Sequence, residues 1–256
     1  MIDRILNHAI VRIIGPIFEK TFIFDSYSSR LGKGTHAAIS RFRKFAWQLS
    51  QNNTKTVWIL KCDIRKFFDS IDHEVLFYLI KRKIKDEKVR DLLWVIITSL
   101  KSDVGIPLGN LSSQLFSNVY MNPFDNFVKR ELKVKYYIRY ADDFLVLSND
   151  RDYLVNLVPI IVQFLDRKLR LKIHPKKIFI KKWHEGVDVL GAVTFPHHSV
   201  VRTKAKKRMF RKLKKAKKNL IAGSITEIEY NQIKQSYLGK LKHTRSKGLV
   251  RQINNI

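Results

Sequence analysis

The stretch from Tyr136 to Asp150 constrains this chain more than any other. Tyr136, Tyr137, Ile138, Arg139 and Tyr140 run into a short turn, Ala141-Asp142-Asp143, and Phe144, Leu145, Val146 and Leu147 run out of it toward Ser148-Asn149-Asp150. Aromatic and β-branched residues on both sides of a polar turn predict a β-hairpin. Adjacent carboxylates at its tip repel each other and lose hydration, which is tolerable at a solvated turn or where a cation neutralises them. In isolation the pair would be a surface turn. A second acidic stretch changes that reading, because the largely apolar run Val57-Trp58-Ile59-Leu60-Lys61-Cys62 ends in Asp63. Two strands that bring carboxylates to one end of a sheet make an oxygen-only site suited to Mg²⁺, with Mn²⁺ as a substitute. Two such ions about 3.5–4 Å apart would activate an attacking oxygen and stabilise a leaving one.

The order of motifs carries a resemblance. Asp63 with Phe68 five residues on, then Gly105-Ile106-Pro107-Leu108-Gly109-Asn110-Leu111-Ser112-Ser113-Gln114, then Tyr140-Ala141-Asp142-Asp143, resembles the reverse transcriptase family. Pro107 to Gln114, Asp25-Ser26-Tyr27-Ser28-Ser29-Arg30-Leu31-Gly32-Lys33-Gly34-Thr35-His36 and Ser236-Tyr237-Leu238-Gly239-Lys240-Leu241-Lys242-His243 are similar to the bacterial enzymes of diversity-generating retroelements. The resemblance implies an α+β right-hand polymerase, with fingers and an antiparallel palm sheet over 1–198 and a short basic helical thumb over 199–256. The family's first finger strands are expected to be missing. Asp63, Asp142 and Asp143 become the catalytic carboxylates, and Asp63, Ile64, Asp142 and Asp143 the contacts of two Mg²⁺ ions. Phe68 becomes the residue that excludes a ribose 2′-OH, Leu108, Gly109 and Gln114 lie under the template and new base pair, and Arg30 and Lys33 touch template or triphosphate. Tyr140, Lys177, Lys206, Lys207, Arg211 and Lys214 become nucleic-acid contacts. An aliphatic residue at Leu108 implies error-prone copying, since selectivity comes from polar groups that only the right partner satisfies. Read without the family, Gln114 is a helix-capping or helix-pairing residue. The implied partners are a template RNA, a DNA or RNA primer, dNTPs and a small basic accessory protein, in the cytoplasm of a bacterium or a phage host. A defence-type reverse transcriptase and an RNA-binding scaffold without catalysis are the rival readings.

Charge agrees with a polyanionic partner: 50 Lys and Arg against 22 Asp and Glu give a formal net charge of +28. No apolar run approaches the roughly 18 residues that a spanning helix needs, Leu92 to Leu100 being the longest, and Met1-Ile2-Asp3-Arg4 opens no signal peptide. A lone cysteine, Cys62, excludes an internal disulfide and a cysteine-rich zinc site.

Periodicity predicts the remaining elements. Ile2, Ile5, Leu6, Ala9, Ile10 and Ile13 form a helical stripe expected to end near Gly15-Pro16. The Arg30 to Thr35 loop is expected to precede a helix capped by Thr35, and Asp72 to cap another, with a further helix over Val89 to Leu100. Phe67 belongs to the core. A helix from Ser112 is expected to give way to a new one at Asn122-Pro123, and Pro159 to kink or delay the stripe Leu154, Leu157, Val158, Ile161 and Leu165. Lys176 and Lys177 read as a solvated pair or, by the resemblance, as a proton donor to pyrophosphate. Val187 to Phe195 is similar to the family's primer-grip hairpin, with His197 and His198 as turn residues. From Arg202 to Lys218, 11 of 17 residues are Lys or Arg and none is acidic, with Met209, Leu213, Ala216 and Leu220 as an apolar stripe. Such repulsion destabilises a helix unless a polyanion relieves it. Tyr230, Ile233, Tyr237, Leu238 and Leu241 predict the last helix.

Overall fold

The computed structural model describes residues 2–100, 102–242 and 244–255; His243 of the third motif and the Ile2 side chain of the first stripe lie outside what is described. Four strands, β1 (Trp58–Asp63), β2 (Tyr137–Tyr140), β3 (Asp143–Ser148) and β4 (Phe179–Lys182), form an antiparallel sheet in the order β2-β3-β1-β4. Side chains alternate across a strand, so Leu60, Cys62, Phe144 and Val146 enter one core while Ile59, Leu145 and Leu147 enter another. The first core is closed by α5 (Leu111–Asn126) and α6 (Arg151–Leu169) through Phe116, Tyr120, Phe124, Leu154, Ile161 and Leu165. The second is closed by α2 (Thr35–Ser50) through Ala38, Phe42 and Phe45. Each such burial contributes about 1.5–3 kcal/mol, and together they hold the sheet from both sides.

Several boundaries differ from expectation. Helix α1 (Ile2–Glu19) runs through Pro16, and among its described apolar side chains Ile10, Ile14 and Phe18 are buried, while Ile5 and Ile13 are exposed. Thr35 is the first residue of α2 rather than its cap; Gly34 precedes it at φ 115 with no side-chain cap. Asp72 does cap α3 (His73–Lys81), accepting from the Val75 N–H at 2.9 Å, whereas α4 (Glu87–Ile97) stops short of Leu100. Helix α5 continues through Pro123 instead of restarting there, and α6 starts at Arg151, ahead of Pro159, capped by Asp150.

Beyond the first sheet, β5 (Val187–Val189), β6 (Ala192–Thr194) and β7 (Ser199–Val201) make a second antiparallel sheet, one strand more than the expected hairpin. Helices α7 (Thr203–Ile221), α8 (Glu227–Leu241) and α9 (Lys247–Asn254) follow; α9 lies past the helix expected to be last. Met209, Leu213, Leu241 and Ile253 give these helices a core of their own.

Candidate active site

Strand register brings the acidic residues together. Asp63 at the end of β1 lies opposite Asp143 at the start of β3, and Tyr140 pairs with Asp143 across the hairpin, so Ala141 and Asp142 form a two-residue turn. The Ile64 N–H donates to the Asp142 carbonyl at 3.3 Å, which docks the hairpin tip against the end of β1. Ile64 itself is buried and faces the site only with its backbone. Ala141 holds φ 53, a left-handed conformation costing an L-residue about 1–2 kcal/mol. Its carbonyl accepts from the Arg139 guanidinium at 3.0 Å.

Arg139 is the support beneath this turn. Fully buried, it donates to both Asp125 oxygens at 2.8 and 2.7 Å and to Ser26 Oγ at 3.1 Å, while Tyr137 Oη donates to Asp125 at 2.7 Å. Sequence reasoning missed this role. A lone cation inside an apolar strand was the available signal; its partner, on a helix, left none.

Two lysines stand among the carboxylates. Lys177, in the single turn Pro175–Lys177 before β4, places Nζ 2.6 Å from Asp63 Oδ1, and the hydrogen bond to Asp63 raises its pKa. The sequence left Lys177 between solvent and site; here it is at the site. Lys61 Nζ lies 3.8 Å from Asp143 and donates to the Asp188 carbonyl at 3.0 Å, and Asp188 in turn accepts from Arg202 at 2.9 Å. Burial, and secondarily the neighbouring carboxylates, holds Asp142 above the usual carboxylate range; burial does the same for Asp143, with Lys61 opposing it.

A cavity of about 530 Å³ opens along Asp63 and Asp143, with Lys61, Lys177, Lys181 and Arg202 on its walls. Its carboxylate oxygens are the donor type that Mg²⁺ takes, and the raised pKa of Asp143, like that of neighbouring Asp142, is a strain that a cation would relieve. Among the described residues no three acidic, His or Cys side chains already converge on one point; Asp63 is turned to Lys177 and Asp143 to Lys61. Cation binding at this site requires those ammonium groups to yield.

The other candidates divide. Phe68 begins a short turn, Phe68–Ser70, packed edge-on against buried Phe67 at 5.4 Å, and its carbonyl accepts from the Ile106 N–H, which ties it to the Gly105 to Gly109 turn. Leu108 is 73% exposed, Gly109 has φ 97, and Gln114 is half-buried in the first turn of α5. Tyr140 Oη accepts from Thr35 Oγ1 at 3.4 Å, beside the hairpin. Lys206, Lys207, Arg211 and Lys214 all lie exposed on α7. Arg30 and Lys33 are engaged elsewhere: Arg30 binds Glu19 and the carbonyls of Ile23 and Ser26, and Lys33 donates to the Phe24 carbonyl and covers the Phe24 ring. Their donors organise the loop ahead of α2, not the carboxylate cavity.

Residues 1–194 match the profile described as reverse transcriptase (RNA-dependent DNA polymerase). The chain belongs to the reverse transcriptase family. Among curated relatives, Protein YkfC of Escherichia coli is 27% identical over 230 residues, covering 74% of this chain and 60% of that protein. The group II intron-encoded protein LtrA of Lactococcus lactis is 30% identical over 143 residues, covering 52% of this chain and 22% of LtrA. The chain thus spans less than two thirds of the length of these relatives. In fold it is similar to apo telomerase from Candida tropicalis, truncated from its C-terminal domain (TM-score 0.54, 13% identity, 76% of this chain and 43% of that one). Telomerase from Candida albicans in complex with a fragment of telomeric RNA is likewise similar, with TM-score 0.55, 11% identity, 78% of this chain and 37% of that one. These neighbours support the right-hand polymerase fold. Among the described residues no helix is long and apolar enough to cross a membrane.

Proposed function

We propose that this chain catalyses RNA-directed DNA synthesis, joining a primer 3′-hydroxyl to the α-phosphorus of a dNTP with loss of pyrophosphate. The observation that carries the reading is the register pairing of Asp63 with Asp143, with Asp142 docked beside them through the Ile64 N–H. Asp63, Asp142 and Asp143 would hold two divalent cations, Mg²⁺ or Mn²⁺, which when bound would acidify the hydroxyl and share the charge of the phosphates. Around them the chain's own groups would do the positioning: Lys177 keeps a proton on Nζ beside Asp63, Phe68 by the family resemblance would exclude a 2′-hydroxyl, and α7 offers ammonium groups to the duplex backbone. Substituting Asp142→Asn should cut Mg²⁺-dependent dNTP incorporation on a primed RNA template by more than the roughly 10–100-fold typical of lost outer-shell metal partners. Unchanged incorporation would overturn the assignment.

Within that activity, Leu108 with Ser113-Gln114 favours a diversity-generating retroelement enzyme that copies its template RNA with low fidelity beside a small basic accessory protein, in the cytoplasm. The exposed Leu108 side chain has no polar atom with which to reject a wrong pair. L108Q should therefore lower the misincorporation frequency in sequenced cDNA, and equal error rates would remove the argument. The intron-encoded relatives favour a second reading, an intron-type retroelement enzyme; it predicts an error rate that L108Q leaves unchanged.

A further inference from the structure

Behind the sheet, α1, α3 and α5 enclose a second cavity of about 470 Å³ that shares no lining residue with the carboxylate cavity. Lys20, Arg82, Lys83 and Arg130 ring it, no acidic side chain lines it, and among the described residues none of the four cations is ion-paired. Four uncompensated cations around one concavity repel one another, so the arrangement is relieved by an anion. Its wall is already ordered: Asn126 Nδ2 donates to the Asn122 carbonyl and to Asn122 Oδ1 at 2.9 and 2.8 Å, and Asn122 Nδ2 donates to Thr21 Oγ1 at 3.0 Å. The floor is apolar, from Phe18 and Val119. Guanidinium forks at Arg82 and Arg130 match the paired oxygens of a phosphodiester, and the amides leave acceptors for a ribose 2′-hydroxyl. From Gln114 at the template end of α5 to Asn126 is about 18 Å along the helix, too far for the base pair being copied to reach.

We propose that this cavity binds the phosphodiester backbone of an RNA segment that is not being copied, anchoring the template transcript to the back of the polymerase. The choice of RNA over an acidic protein rests on the proposed function, so the test reads binding and not synthesis. The chain, without dNTP and saturated with an RNA–DNA template–primer, is titrated with a fluorescent RNA hairpin lacking a primer, across a range of salt. The hairpin should bind the saturated protein. R82Q/R130Q, at two exposed positions, should weaken it roughly tenfold and flatten the log K against log salt slope by about 1.4–1.8, at 0.7–0.9 per lost phosphate contact. R167Q/K168Q, which removes equal charge from exposed positions of α6 outside the cavity, should change neither. Displacement of the hairpin by excess template–primer, an equal loss in the α6 variant, or competition by poly-glutamate as effective as by unlabelled RNA would each overturn the proposal. A wild-type chain that bound the hairpin in this way yet incorporated no dNTP would overturn the polymerase reading alone.

Discussion

At the scale of single residues, the carboxylate cluster costs stability as it stands. Burial first, and then Asp143 and Asp63, raise the pKa of Asp142, so the fold binds that proton more tightly than the unfolded chain does. This increment is fully present below the ordinary carboxylate value and is lost as pH rises through the raised folded value. D142N cannot ionise there. Without divalent ions its urea midpoint should lie above that of the wild type at neutral pH, and the two should converge in acid. Arg139 works the other way. With its side chain and that of Asp125 at 0% exposure, R139M leaves a buried carboxylate without its cation, still bonded by Tyr137 Oη, and should cost about 3–5 kcal/mol in urea unfolding. Adding D125N should recover part of it. The acidic residues could be read from the sequence because apolar strands ending in Asp are conspicuous. Lys61 and Asp188 could not, since their contact joins residues 127 positions apart through two sheets whose packing no local pattern encodes.

At the scale of elements, strands and stripes were legible and stops were not. Apolar and aromatic runs located β1, β2 and β3, and of the expected stripe Met209, Leu213 and Ala216 are buried on α7 while Leu220 is half-buried. Prolines misled. Pro16, Pro123 and Pro159 each forgo a backbone hydrogen bond, yet α1, α5 and α6 continue through them, because buried side chains on both sides, such as Ile14 and Phe18 or Leu157 and Ile161, outweigh a loss of about 3 kcal/mol. Helix α9 was missed since eight residues give too little periodicity to stand out. The exposed side of α7 is an electrostatic track. Changing Lys206, Lys207, Arg211 and Lys214 together to Gln should flatten the salt slope of template–primer binding by about 2.8–3.6, read by fluorescence anisotropy, with synthesis at saturating duplex largely retained.

At the scale of the whole molecule, two cores grip the sheet while a third belongs to α7, α8 and α9. This division predicts that the unit of α7, α8 and α9 can fail by itself. Leu213, at 0% exposure, sits at the centre of the third core, and L213A should cost about 2–5 kcal/mol. The loss should appear as an early, separate step in denaturant unfolding, with weaker template–primer binding; a single cooperative transition would show instead that the three cores unfold together. Helix α7 carries no acidic residue along its 19 positions, so its like charges strain the helix, a strain that the nucleic acid of the proposed function would relieve. Folding and cargo are thereby thermodynamically linked. The melting point of the third core is consequently not a constant of the polypeptide: it should climb with the concentration of free RNA around it, and preparations stripped of nucleic acid will understate how firmly this part stands inside a cell.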